Sequence, residues 1–141
     1  MKVKKVKKIT IYTAGFDGSA KPNPGPIRIG GWIRKYKDKE LIHTFSIDAG
    51  YGSNIEAEYL ALITLLKVVD YLKIEYILIV GDCLPIIRQV NKKSKAKKVI
   101  TQKYRDIALN LLKNKNWALR HIKRHRNREA DNLSHLIQTQ K

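Results

Sequence analysis

Residues 9–13 read Ile-Thr-Ile-Tyr-Thr, an unbroken β-branched and aromatic run that leads through Gly15 to Asp17 and Gly18. This predicts a strand that ends near the aspartate, followed by a turn-rich loop over residues 19–26. Residues 29–36 and 41–47 are two further strand segments around the polar 37–40 turn, the pattern of an antiparallel hairpin. The period changes at Ser53. Ser53 and Glu56 have capping-box spacing, and Ile55, Tyr59, Leu62, Leu66 and Val69 follow at helical intervals, with Leu60, Ile63 and Leu65 widening the apolar face. Residues 76–80 (YILIV) form a short continuous apolar run before Gly81 and Asp82, as a strand buried on both faces would. Pro85 suits the first turn of a second helix running through Ile87 to Val90. Residues 91–98 carry Lys92, Lys93, Lys95, Lys97 and Lys98 with little apolar material, which predicts a loop or a frayed helix end. Tyr104, Ile107, Ala108, Leu111 and Leu112 mark a third helix, residues 117–122 a fifth strand, and Ala130, Leu133 and Ile137 a short last helix. The resulting order, βββαβααβα, is an α/β layout without repeats or low-complexity linkers.

At 141 residues the chain matches one domain, spanning 1–141 with a basic flank at 1–8 and a tail at 138–141. Its 43% apolar content is enough for one core, which excludes intrinsic disorder. Cys83 is the single cysteine, so no intramolecular disulfide is available, and no Cys/His cluster has zinc-site spacing. Both absences fit an intracellular, cytoplasmic protein. Charge changes the picture most. Twenty-nine Lys+Arg against twelve Asp+Glu leave a net charge of +17, which favours a polyanionic partner, nucleic acid first. No apolar run approaches the roughly 20 residues of a membrane span, and charges stand where a signal peptide would have its apolar stretch. Nothing in the sequence points to an obligate protein partner.

Acids are scarce in so basic a chain, so their places carry information. Asp17 follows the first strand, Glu58 lies in the second turn of the first helix, Asp82 follows the fourth strand, and Asp131 sits early in the last helix. Each aspartate also has a local explanation: Asp17-Gly18 as a turn, Asp82 as an N-cap, Asp131 as a favourable charge near a helix start. Glu58 has none, because Glu56 already accounts for the capping box. In α/β sheets ligands gather beyond the carboxyl ends of adjacent parallel strands, where Asp17 and Asp82 are both predicted. Four carboxylates converging there would repel one another unless hard divalent cations, Mg2+ or Mn2+, neutralised them. Two such ions, with a nucleic-acid phosphate as substrate, could activate water and stabilise a leaving oxygen.

These residues stand in motifs that resemble ribonuclease H of type 1. Residues 17–26 (DGSAKPNPGP) followed by Gly30, Gly31 and Trp32 are similar to that family's first-strand motif. Residues 53–62 (SNIEAEYLAL) resemble its helix motif, 81–84 (GDCL) its fourth-strand motif, and 124–131 (RHRNREAD) its last. The resemblance runs from about Ile9 to Leu136, and four motifs in order are specific. It implies a five-stranded mixed sheet with helices on both faces. It also implies an endoribonuclease that hydrolyses the RNA strand of RNA–DNA hybrids, leaving 5′-phosphate and 3′-hydroxyl ends. Asp17, Glu58, Asp82 and Asp131 carry over as ligands of two Mg2+ or Mn2+ ions. Asn23 and Asn54 carry over as contacts to the hybrid's sugars or backbone, and Ser53 as a holder of a DNA-strand phosphate. A 2′-hydroxyl, which donates and accepts hydrogen bonds, is what such contacts would read. Double-stranded RNA is a further candidate substrate.

The sequence departs from that pattern in places. Ile55 stands where many members have a second asparagine, and Cys83 replaces a common serine. The long basic, Trp-bearing handle of many bacterial members is absent, with residues 91–98 in its place. That compact form is similar to archaeal and retroelement members. Trp32 and Tyr51 are candidates for stacking on bases or sugars, and equally for sheet and loop packing. Beside the fourth acid, His121 and Arg124 compete as the group that assists turnover. Many bacterial members use a mobile histidine there, but the strand pattern of 117–122 would hold His121 in the sheet. Arg124 lies just past the strand and matches an arginine of members with a similarly short loop, so it is the expected catalytic helper, acting through fixed charge. His125 and His135 read as surface residues. Two other classes remain open: a catalytically silent hybrid or double-stranded RNA binding module on the same fold, and another nuclease of the wider superfamily.

Overall fold

A computed structural model of the chain describes residues 8–127. Its elements are β1 (Ile11–Ala20), β2 (Gly25–Lys35), β3 (Leu41–Gly52), α1 (Asn54–Tyr71), β4 (Tyr76–Gly81), α2 (Leu84–Val90), α3 (Val99–Leu112) and β5 (Asn116–His121), then a 3-10 turn at Arg124–Arg126. The five strands form one sheet in the order β3-β2-β1-β4-β5. The hairpin partners β1/β2 and β2/β3 are antiparallel, whereas β4 runs parallel to both β1 and β5. This is the mixed five-stranded sheet expected, in the order βββαβααβ over the described residues. The expected last helix, with Asp131 and His135, lies outside them, as do residues 1–7 and the 138–141 tail.

Local signals explain how α1 begins. The Ser53 Oγ accepts the Glu56 N–H at 3.2 Å while the Glu56 carboxylate accepts the Ser53 N–H at 3.1 Å, so both bonds of the capping box form. Ala57, Ala61, Leu62, Leu65, Leu66 and Val69 are buried along this helix, which packs on β1 and β2. At about 1.5–3 kcal/mol for each large aliphatic side chain, that burial fixes which face of α1 meets the sheet. α3 packs on α1 through Ala108 and Leu112, and the Tyr104 and Tyr59 rings stand 6.1 Å apart. Among the described residues no helix is long and apolar enough to cross a membrane.

Several details differ from the sequence reading, and in the sheet this is because a partner distant in sequence extends a strand. β1 does not end near Asp17; it runs three residues further, since Asp17, Gly18, Ser19 and Ala20 pair with Gly30, Ile29, Arg28 and Ile27 of β2. The loop expected over 19–26 shrinks to residues 21–24, and the Asp17-Gly18 pair is strand rather than turn. β3 likewise continues to Gly52 against β2. β4 alternates between buried and half-buried residues rather than being buried on both faces. The N-cap of α2 is Cys83, with no side-chain cap bond, so Asp82 is not the cap of that helix. The third helix starts at Val99, five residues before its first predicted apolar anchor.

Candidate active site

The parallel register of β1 and β4 ends at the pair Gly15/Val80. Asp17 and Asp82 each stand two residues beyond that pair, so the two aspartates flank the point where the strands part. Glu58 reaches them from α1 because the helix sits directly on β1 at Gly18. A Cβ on Gly18 would lie 2.2 Å from the Ala57 carbonyl oxygen, so only glycine permits this approach. One carboxylate oxygen from each of Asp17, Glu58 and Asp82 lies within 4.8 Å of the others. Asp17 is 5% exposed and Glu58 8%, while Asp82 is half-buried.

Three acids this close and this dry cannot all ionise cheaply. Burial, then the charge and hydrogen bond of Asp17, then the charge of Asp82, push the Glu58 carboxyl well above the usual range; the Gly18 backbone hydrogen bond pulls weakly the other way. Glu58 Oε2 is buried with no hydrogen-bond partner, and no lysine or arginine pairs with Glu58 among the described residues. A buried oxygen without a partner, in an all-oxygen donor set of like charge, fits a hard divalent cation.

The acids form the floor of a groove of about 730 Å³. Asn23, Ser53, Asn54 and Arg124 line it, and so do Lys21, Lys98, Ile55 and Cys83. The asparagines also build its wall. Asn54 Oδ1 accepts the Ala20 N–H at 2.7 Å, and Asn23 Oδ1 accepts the Asn54 N–H at 3.0 Å. Both amide carbonyls are thereby spent on tying the 21–24 loop to the start of α1, which leaves the two NH2 groups as donors. Ser53 spends its oxygen's acceptor capacity on the cap and keeps its hydroxyl proton. Burial and the nearby carboxylates push the Cys83 thiol up to about 12, so it is an inert wall residue.

Not every candidate joins the site. Trp32 packs against Gly15, where a Cβ would meet the indole at 2.3 Å, so it belongs to the sheet. Tyr51 is 73% exposed near the end of β3. His121 is the last residue of β5, and its Nε2 donates to the Asp82 carbonyl at 3.2 Å. Asp131 lies outside the described residues. Lys98, one of the five lysines that stand in place of the handle, lines the groove. One residue escaped the sequence reading: Asn127, inside the 124–131 motif but not singled out there, is 1% exposed and donates from Nδ2 to the Phe16 carbonyl at 2.9 Å.

The family model described as reverse transcriptase-like matches residues 15–137. RNase H1 from the halophilic archaeon Halobacterium salinarum NRC-1 is 26% identical over 92% of this chain and 98% of its own, with a TM-score of 0.87. The chain belongs to the reverse transcriptase-like family, among the type 1 ribonucleases H. LC11-RNase H1, isolated from compost by a metagenomic approach, was solved in complex with an RNA/DNA hybrid. It is 26% identical, with 92% of this chain and 99% of that one covered and a TM-score of 0.84. The N-terminal RNase H domain of rv2228c from Mycobacterium tuberculosis, 22% identical over 94% and 99% of the two chains, shares the fold at a TM-score of 0.87. Within this family of metal-dependent ribonucleases H, the acids at the parting of β1 and β4 and the cap of α1 stand in the motifs that carried the resemblance.

Proposed function

We propose that the chain is an endoribonuclease that hydrolyses the RNA strand of RNA–DNA hybrids in the groove above Asp17, Glu58 and Asp82. The observation that carries this is the buried carboxylate triad, repulsive by itself, at the floor of a groove walled by amide donors and cations. Asp17, Glu58 and Asp82 would hold Mg2+ or Mn2+, two ions in all, with Asp131 as the fourth acid. Metal bound by these carboxylates would supply Lewis-acid activation of a water and neutralise charge at the departing 3′-oxygen. The chain's own groups do the rest. The Asn23 and Asn54 amides donate to sugar and backbone oxygens, with the 2′-hydroxyl as the RNA-specific target. Ser53 donates to a phosphate of the DNA strand. Arg124, permanently charged, orients the reacting phosphate and weakens product retention without exchanging a proton.

The test is cleavage of matched RNA–DNA hybrid, double-stranded RNA and double-stranded DNA in Mg2+ and in Mn2+. The expected result is scission of the RNA strand of the hybrid into products with 5′-phosphate and 3′-hydroxyl ends. Cleavage of duplex DNA instead would mark another nuclease of the superfamily, and binding without cleavage a silent hybrid-binding module. Products with 2′,3′-cyclic phosphate ends would make the 2′-hydroxyl the nucleophile and overturn the mechanism.

The lysine segment has a part in binding the hybrid. It is anchored rather than frayed: Lys93 and Ser94 N–H groups both donate to the Arg88 carbonyl, Ala96 is buried, and Gln102 Nε2 donates to the Ala96 carbonyl at 2.9 Å. Thr101 Oγ1 holds the Lys98 carbonyl at 2.8 Å, and Lys98 lines the groove. Replacing Lys92, Lys93, Lys95, Lys97 and Lys98 by glutamine should flatten the dependence of log K on log salt by about 0.7–0.9 for each phosphate that a lysine no longer neutralises. Titrations of hybrid binding at several salt concentrations read this directly, and an unchanged slope would mean that the lysines are only solvated.

A further inference from the structure

The segment after β5 is tied down at both ends by side chains that the mechanism above does not use. β5 ends level with β4, His121 opposite Gly81, and the Ile122 N–H donates to the Gly81 carbonyl at 2.9 Å. One residue past the end of β4, the His121 ring donates to the carbonyl of Asp82 itself. Asp82 links a strand end to a seven-residue helix whose cap makes no side-chain bond. The chain then turns through Arg124–Arg126, closed by Arg126 N–H to Lys123 and Asn127 N–H to Arg124 carbonyl bonds, and arrives over β1. There the Asn127 side chain takes the carbonyl of Phe16, the residue before Asp17 and the first past the last β1/β4 pair. Residues 122–126 are therefore a strap from β5 across to β1, passing over the gap that holds the acids. Its ends are fixed to Asp82 and beside Asp17, and Arg124 in its middle lines the groove.

We propose that His121 and Asn127 are positioning residues: by clamping the two ends of this strap to the backbone of the acid-bearing strands, they hold Arg124, Asp17 and Asp82 in one geometry. This rests on reading the triad as the metal cradle. His121 does not act as a base through Nε2, because that nitrogen donates its proton to the Asp82 carbonyl. Its loss removes that tie to the Asp82 peptide, so the carboxylate spends less time converged with its neighbours. Loss of Asn127 frees the far end of the strap, and Arg124 with it. Backbone clamps behind ligands act like outer-shell partners of metal sites, whose removal weakens both metal affinity and turnover.

The experiment compares His121→Ala, His121→Gln and Asn127→Ala in the full chain. Mn2+ binding is measured by calorimetry without nucleic acid, and hybrid cleavage at steady state. His121 is exposed, so its variants keep the fold even if Asn127→Ala does not, and they then decide alone. His121→Ala should bind Mn2+ about tenfold more weakly and lose kcat by a similar factor with KM for hybrid nearly unchanged. His121→Gln keeps a donor and should recover most of both. Arg124→Ala should cost clearly less in the His121→Ala background than in the wild type, since groups acting as one unit are not additive. Wild-type Mn2+ affinity in His121→Ala, or losses from His121→Ala and Arg124→Ala that simply multiply, would overturn the proposal. Asp82→Asn, measured alongside, separates the two failures. If it too leaves Mn2+ binding intact, the metal cradle is wrong; if it alone loses Mn2+, the strap is wrong and the cradle stands.

Discussion

Asp17→Asn and Asp82→Asn will each abolish hybrid cleavage while leaving the protein folded. Each substitution keeps the shape of the side chain and removes one charged oxygen ligand from a triad whose members lie within 4.8 Å of each other. Charge stabilisation by bound metal is worth several kcal/mol to the transition state. At 1.36 kcal/mol per decade, its loss corresponds to about 10³-fold or more in turnover. Folding should not suffer, because removing one of three crowded negative charges relieves repulsion in the metal-free protein. Steady-state cleavage of hybrid at saturating Mg2+, with a thermal melt of each variant, checks both halves. Near wild-type turnover by either folded variant would falsify the assignment of these aspartates.

Metal-free protein will lose stability as pH rises above the ordinary glutamate range, and divalent cations will restore it. Glu58 is raised well above 4.5 in the folded state, by burial first and the Asp17 charge second. The folded state therefore binds more protons than the unfolded chain between the unfolded pKa and the raised one. By linkage, stability falls with pH through that window and stays low beyond it. This is the reverse of a salt-bridged carboxylate, whose contribution is lost as pH falls. A cation that binds the ionised triad replaces the missing proton, so its stabilising effect grows with pH. At a hundredfold excess over Kd it amounts to about 2.7 kcal/mol, or roughly 10 °C in Tm for a chain of this size. Melts from pH 4.5 to 8 in chelator, Mg2+ and Mn2+ measure it. Glu58→Gln should melt higher than wild type in chelator at pH 8 and lose most of the metal-induced shift. A shift that is equal at both ends of the pH range, or that survives in Glu58→Gln, would mean that the cation binds elsewhere.

Legibility in the sequence followed the distance between interacting groups. The start of α1 could be read to the residue, because Ser53 and Glu56 satisfy each other's backbone within one turn. The order of elements could be read because alternation and helical period are local consequences of burying one face. The extent of β1 could not. Asp-Gly is a good turn pair in isolation, and only pairing with Gly30 and Ile29 of β2 keeps Asp17 and Gly18 extended. The role of Asp82 was open for the same reason. A cap and a ligand look alike in sequence, and the choice came from the helix being capped one residue later, at Cys83. The lysine segment read as a loop or a frayed helix end; it is a loop, and its anchoring was not legible because the anchors, Arg88 and Gln102, lie in the flanking helices.

By itself the sequence determined the α/β class, the element order, the expectation of a polyanionic partner and the choice of four candidate acids, Asp131 included. Each depends on residue chemistry, on periodicity or on motif, none of which needs a third dimension. Only the tertiary structure decided that Glu58 meets Asp17 and Asp82 through the bare Gly18 contact. Only there, too, does Arg124 reach the groove, and only there does Asn127 clasp Phe16 across 111 positions of chain. Carboxylate repulsion, a raised pKa and a shared strap are properties of distances between side chains, and the chain sets those distances only after the sheet has brought strands remote in sequence side by side.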